Sequence, residues 1–199
     1  MKIQIRGYRL AERIRTVILV FGSVCITLLA GMVSCTIQSS PAHTPTSSPH
    51  LTLDALKNAE YRTNNLVETI RLTDGFFYPP PISGESQSDW FVMLTEPVIF
   101  GDVSGDDVPD AVLILTSRFG GTGIFRELAV VVNDNGKPHN TATDYLGDRV
   151  IINTAKIQDG EIILDMVVHG PNDGFCCPSL ETTWIFTLAE NGLTKTSRP

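Results

Sequence analysis

Apolar positions fall into distinct patterns along this chain, and each pattern predicts a different element. Residues 17–33 form a long apolar run without a single charge. "AVLIL" (111–115) and "ELAVVV" (127–132) are shorter and too apolar to leave one face in water, which predicts central strands. "VIINTAKI" (150–157) and "EIILDMVV" (161–168) flank "QDG" and predict a hairpin. "TTWIFTL" (182–188) alternates and leads through "ENG" into the last hairpin. "NDNG" (133–136) and Asp74-Gly75, inside "TIRLTDGFFY", mark two further turns between β-rich runs.

Only residues 51–61, "LTLDALKNAEY", read as a helix. Thr52 can cap it, Asp54 favours its positive end, and Leu53, Leu56 and Ala59 fall near one face. Short connections favour sequential antiparallel pairing. The expected fold is therefore α+β: a mostly antiparallel β-sheet with one N-terminal helix packed on it.

The long apolar run belongs to a different part of the chain. Five basic residues and one acid precede it within residues 1–15. That is the basic and then hydrophobic order of an export signal. The run ends at "GMVSC", where Met32, Val33 and Ser34 lead into Cys35. This stretch resembles the lipobox of bacterial lipoproteins, which implies cleavage after Ser34 and lipidation of Cys35. Met32 replaces the usual leucine of that motif. An uncleaved anchor helix is the other reading, and in both the folded part lies outside the cytoplasmic membrane, because positive charge stays inside. Diacylglycerol and an amide-linked acyl chain on Cys35 would anchor the protein stably to a membrane. Residues 36–50, rich in Ser, Thr and Pro, read as a semi-stiff tether reaching about 45 Å. The expected organisation is a signal at 1–34, a lipidated cysteine and tether at 35–50, and one β-rich domain at 51–199.

Beyond residue 34, ten basic residues face twenty-one acids, a net charge of −11. Such a domain is a poor partner for nucleic acid. An envelope protein or a small ligand is the expected partner class.

"LTLDALKNAEY", "IRLTDGFF", "GDVSGDDVPDAVLIL", "GGTGIFRELAVVVN", "LGDR" and "HGPNDGFCCPS" occur in this order. Together they resemble a domain of uncharacterised exported bacterial proteins, of cyanobacterial type. The resemblance implies an exported, non-cytoplasmic protein and brings no biochemical activity with it.

Two stretches carry candidate chemistry. In "GDVSGDDVPD" (101–110), Asp102, Ser104, Asp106, the Val108 carbonyl and Asp110 stand at positions one, three, five, seven and nine of a candidate calcium loop. The spacing resembles the loops of integrin-type repeats and dockerin-like modules. Asp107 stands where those loops place glycine, and Leu113 stands where an EF-hand places its closing Glu. The competing reading is a turn whose Asp side chains cap local amides.

In "HGPNDGFCCPS" (169–179), Cys176 and Cys177 are adjacent. Three readings stay open: a vicinal disulfide or paired structural thiols, a metal site drawing on His169 and Asp173, and a thiol or His-dependent enzyme using His169, Asp173 and Cys176. Cα atoms of neighbours lie about 3.8 Å apart, below the usual disulfide span, so a bond between them is strained and easily reduced. "RFGGTG" (118–123) reads as a strand connection rather than a phosphate cradle, because a β run comes after it instead of a helix. "LGDR" (146–149) reads as a turn with Asp148 and Arg149 available for an ion pair. Arg118, Arg126 and Arg149 form a candidate anion set. A non-enzymatic binding domain is the leading expectation, with calcium as its candidate cofactor.

Overall fold

A computed structural model of the chain describes residues 49–80 and 89–198. The expected signal segment, Cys35 and the tether up to residue 48 lie outside the described residues.

The helix forms where its cap predicts and stops early. Helix α1 spans Leu53–Lys57, with Thr52 Oγ1 accepting the Ala55 amide at 3.1 Å. Asp54 sits in its first turn and Lys57 in its last, both favourable to the helix dipole. The expectation of a helix through Tyr61 is corrected: Glu60–Tyr61 is strand β1, paired with β2 at Ile70–Arg71. A single turn has little stability of its own, so tertiary burial sets the path of the chain after Lys57. Tyr61 is fully buried and donates its hydroxyl to the Leu56 carbonyl at 2.7 Å, which an extended segment permits. Leu53 is exposed, so the buried stripe is Leu56 and Ala59 alone.

The remaining strands form two larger antiparallel sheets, where the sequence suggested one. Five strands run in the order β3 (Phe76–Phe77), β4 (Phe91–Gly101), β5 (Asp110–Arg118), β6 (Phe125–Asp134) and β7 (Lys137–Asp148). Four more run β11 (Gly192–Arg198), β10 (Leu180–Ala189), β9 (Glu161–Val168) and β8 (Ile151–Gln158). Sequential hairpins build both, as short connections require. Asn135-Gly136 and Asp159-Gly160 turn with positive φ at both residues, which matches the twist of the flanking strands. Asp74-Gly75 makes the same turn, but only Thr73 and Phe76 bridge across it. Its strands then part, β2 to β1 and β3 to β4.

The five-stranded sheet is the middle of three layers, which explains the apolar runs. Val112, Ile114, Leu128 and Val130 face the four-stranded sheet and meet Ile162, Leu164, Met166 and Phe186 there. Ala111, Leu113, Leu115, Ala129 and Val131 face the other way, onto Leu56, Tyr61, Ile70 and Leu72. Successive residues of β5 and β6 therefore enter opposite cores, and neither strand has a wet face. Strand β9 buries every second residue and leaves the alternates half-buried, as an outer sheet should.

Candidate functional site

The layers bring the candidate loops to opposite ends of β5 and β6. Residues 102–109 connect β4 to β5 at one end. Residues 119–124 and 149–150, with the segment 169–179 between β9 and β10, gather at the other.

At the first end the carboxylates are occupied by the loop's own backbone. Asp102 accepts the amides of Gly105 at 2.7 Å, Asp106 at 3.3 Å and Asp107 at 2.9 Å. These bonds, the Gly105 amide foremost, hold its carboxyl below the usual carboxylate range. Asp106 accepts the Val108 amide at 2.9 Å. Gly105 and Asp107 take the left-handed backbone at φ 82° and 63°, so Asp107 does adopt the conformation that glycine usually supplies. Ser104 and Asp106 are exposed, and Val108 is partly so. Asp110 turns inward and is fully buried. Its two oxygens accept the amides of Val103 at 3.0 Å, Ser104 at 2.9 Å and Asn133 at 2.9 Å. Asn133 completes the knot by donating to the Pro49 and Pro109 carbonyls at 2.9 and 3.2 Å. Among the described residues no group of three or more His, Cys, Asp or Glu side chains is arranged to hold a metal ion.

At the second end the adjacent cysteines are joined. Cys176 and Cys177 form a disulfide with Cα atoms 3.7 Å apart, and both residues are exposed. In this form neither sulfur is a free nucleophile or a metal ligand. The Cys177 amide donates to the Gly174 carbonyl at 3.0 Å, closing a turn that leaves Phe175 93% exposed. Asp173 ties the base of the segment. It accepts the Gly170 amide at 2.8 Å and both the amide and hydroxyl of Ser179 at 2.7 Å. The Gly170 amide, then Ser179, and to a lesser degree the charge of His169, hold the Asp173 carboxyl below its usual range. Asp173 thus acts as a loop clasp.

Arg149 is the hub of this end. Its guanidinium donates to Asp148, to the Thr122 carbonyl, and to the Phe175 carbonyl at 2.9 Å. Its backbone, in the left-handed region at φ 51°, donates to the Ile124 carbonyl at 2.7 Å, while Asp148 accepts the Ile124 amide at 2.7 Å. One residue therefore ties three segments together. The expected Asp148–Arg149 ion pair forms; Leu146 to Asp148, expected as a turn, are the end of β7. The "RFGGTG" stretch is a strand connection, and Arg118 donates to its Gly121 carbonyl at 3.0 Å. Arg118 and Arg149 thus direct donors to carbonyls of one connection, and Arg126 faces the core between the sheets, its buried Nε without a hydrogen-bond partner among the described residues.

Two features were missed in the sequence. Glu127 is fully buried in β6, where Oε1 accepts the Asn64 amide at 2.6 Å and Oε2 has no partner among the described residues. Burial pushes its carboxyl up to about 7, with the charge of Asp144 adding to the rise. Beside it, Phe77, Trp90, Phe119, Phe125 and Tyr145 touch in sequence, ring centroids 5.8–6.4 Å apart. They come from three strands and two loops, so no sequence window contains them. A buried acid inside an apolar strand is visible in "ELAVVV", but its lack of partners is not.

Comparison with known protein families, curated proteins and solved structures found no match to this chain.

Proposed function

We propose that this chain is an exported envelope protein, lipid-anchored through Cys35, whose folded part is a non-enzymatic binding domain for an envelope protein or small ligand. The observation that carries the location is the N-terminal order of basic flank, apolar run, small residue, cysteine and Ser/Thr/Pro tether. An exposed Cys176–Cys177 disulfide supports it, because such bonds persist in oxidising compartments and are rare in the cytosol. The non-enzymatic reading is supported by how the candidate groups are used. Asp102, Asp110 and Asp173 all accept backbone amides, and the cysteine sulfurs bond to one another. A thiol enzyme built on His169 and Cys176 would require a free thiolate.

The test replaces Cys35. Cys35→Ala is expected to abolish lipid labelling and to leave the precursor uncleaved by the lipoprotein peptidase. A variant that matures to the same N-terminus and partitions into detergent as before would sink the anchoring reading. For the binding role, the full chain in detergent is used as bait for envelope extracts, with Phe175→Ala beside it as a surface control.

A further inference from the structure

A bond between chain neighbours closes almost no loop, so it restricts the unfolded chain weakly and adds little to global stability. The Cys176–Cys177 bond must therefore act locally, and its surroundings show where. The segment from Gly170 to Ser179 is clasped at its base by Asp173. Its tip is held by the disulfide ring, by the Cys177–Gly174 turn bond and by Arg149 donating to the Phe175 carbonyl. That same guanidinium holds Thr122 and Asp148. The ring thus begins at the residue directly after the carbonyl that one corner of a three-segment clamp grips.

We propose that Cys176–Cys177 is a thiol–disulfide exchange site, that its reaction partner is a protein dithiol of the same compartment, and that its reduction loosens the Arg149 clamp. Access is direct, since both cysteines are exposed and Phe175 projects beside them. Adjacency also makes the bond more reducible than an ordinary structural disulfide. A thiolate of the partner attacks one sulfur, and the S–S bond breaks. The other sulfur leaves as a thiolate and takes a proton. The partner's second thiol then attacks the mixed disulfide, releasing the first cysteine as a thiol and the partner as its own disulfide. Two electrons and two protons pass from the partner to the pair. Without the ring, the backbone of Cys176 and Cys177 regains freedom, and the adjoining Phe175 carbonyl leaves the guanidinium. The partner's compartment rests on the exported reading, but the exchange chemistry is read on purified protein and stands or falls separately.

The experiment uses the full chain in detergent, oxidised and after treatment with millimolar dithiothreitol, and reads peptide mass and amide hydrogen exchange. Reduction is expected to add two hydrogens to the 170–180 peptide. Peptides covering 120–126 and 146–150 should then exchange about tenfold faster, with residues 111–117 unchanged as an internal reference. Cys176→Ser with Cys177→Ser should match the reduced protein whether or not reductant is present. A pair that stays oxidised in the native protein overturns the exchange site. A pair that reduces while 120–126 and 146–150 keep their protection overturns the switch.

Discussion

Two buried carboxylates sit near opposite ends of the β5–β6 pair, and they are treated in opposite ways. Asp110 receives three backbone amides, from Val103, Ser104 and Asn133. Glu127 receives one, from Asn64, and its second oxygen has no partner among the described residues. The difference comes from what each end can offer. A loop has amides that no ladder consumes, so residues 103 and 104 can turn theirs onto a carboxylate. Inside a sheet the ladder takes the amides, so a carboxyl there meets mostly apolar neighbours. Three amides satisfy the carboxylate oxygens in one case, and burial raises the pKa in the other.

The largest effect should come from breaking the saturated site. Asp110→Ala leaves the buried amides of Val103 and Asn133 and the part-buried amide of Ser104 without an acceptor, costing about 4 kcal/mol at the usual cost of an unmet donor. For a domain of this size that lowers Tm by about 12 °C, measured by thermal unfolding. A loss no greater than that of an exposed acid would mean that water or a neighbouring group replaces the carboxylate.

The unsaturated site should yield a smaller effect with a pH signature. A carboxyl raised from 4.5 to about 7 binds more protons folded than unfolded across that window. Stability therefore falls as pH rises through it, by about 3 kcal/mol in total. Glu127→Gln should flatten urea midpoints from roughly pH 5 to roughly pH 8 and make the variant the more stable form at the upper end. Asp102, Asp165 and Asp173 do not blur this window. Their carboxyls are depressed, so their contribution is present above the ordinary carboxylate range and is lost only as pH falls below it. Parallel curves for the two proteins would show that burial does not raise the Glu127 carboxyl.

The smallest effect concerns calcium. With Asp102 and Asp110 already accepting amides, millimolar calcium should leave Tm within about 1 °C, whereas a ligand of the folded state would raise it by mass action. A larger rise that Asp102→Ala with Asp106→Ala removes would establish the loop as a cation site and reverse the contrast between the two ends.

Local chemistry was readable from residue order alone. The Asn135-Gly136 and Asp159-Gly160 turns, the Thr52 cap and the strands in "AVLIL" and "ELAVVV" depend on neighbours a few positions away. The adjacency of Cys176 and Cys177 likewise limited what the pair could become. The helix end failed because Tyr61 gains more from burial, at a distance, than residues 58–61 gain from one more turn. Whether nine strands make one sheet or two is also a long-range matter, since each hairpin has the same local pattern in either arrangement.

Tertiary structure alone decided which polar groups hold the fold together. Asn133 reaches Pro49 across 84 positions of sequence, Asn64 reaches Glu127 across 63, and Arg149 reaches Thr122 and Phe175 across 27 and 26. A side chain's donors and acceptors are set by its identity, while the partners that satisfy them are brought in by packing between layers. The chain's own order therefore determined its turns, its central strands and its candidate anchor. Burial and hydrogen bonds from distant segments determined that Asp110 is a knot and Arg149 a hub.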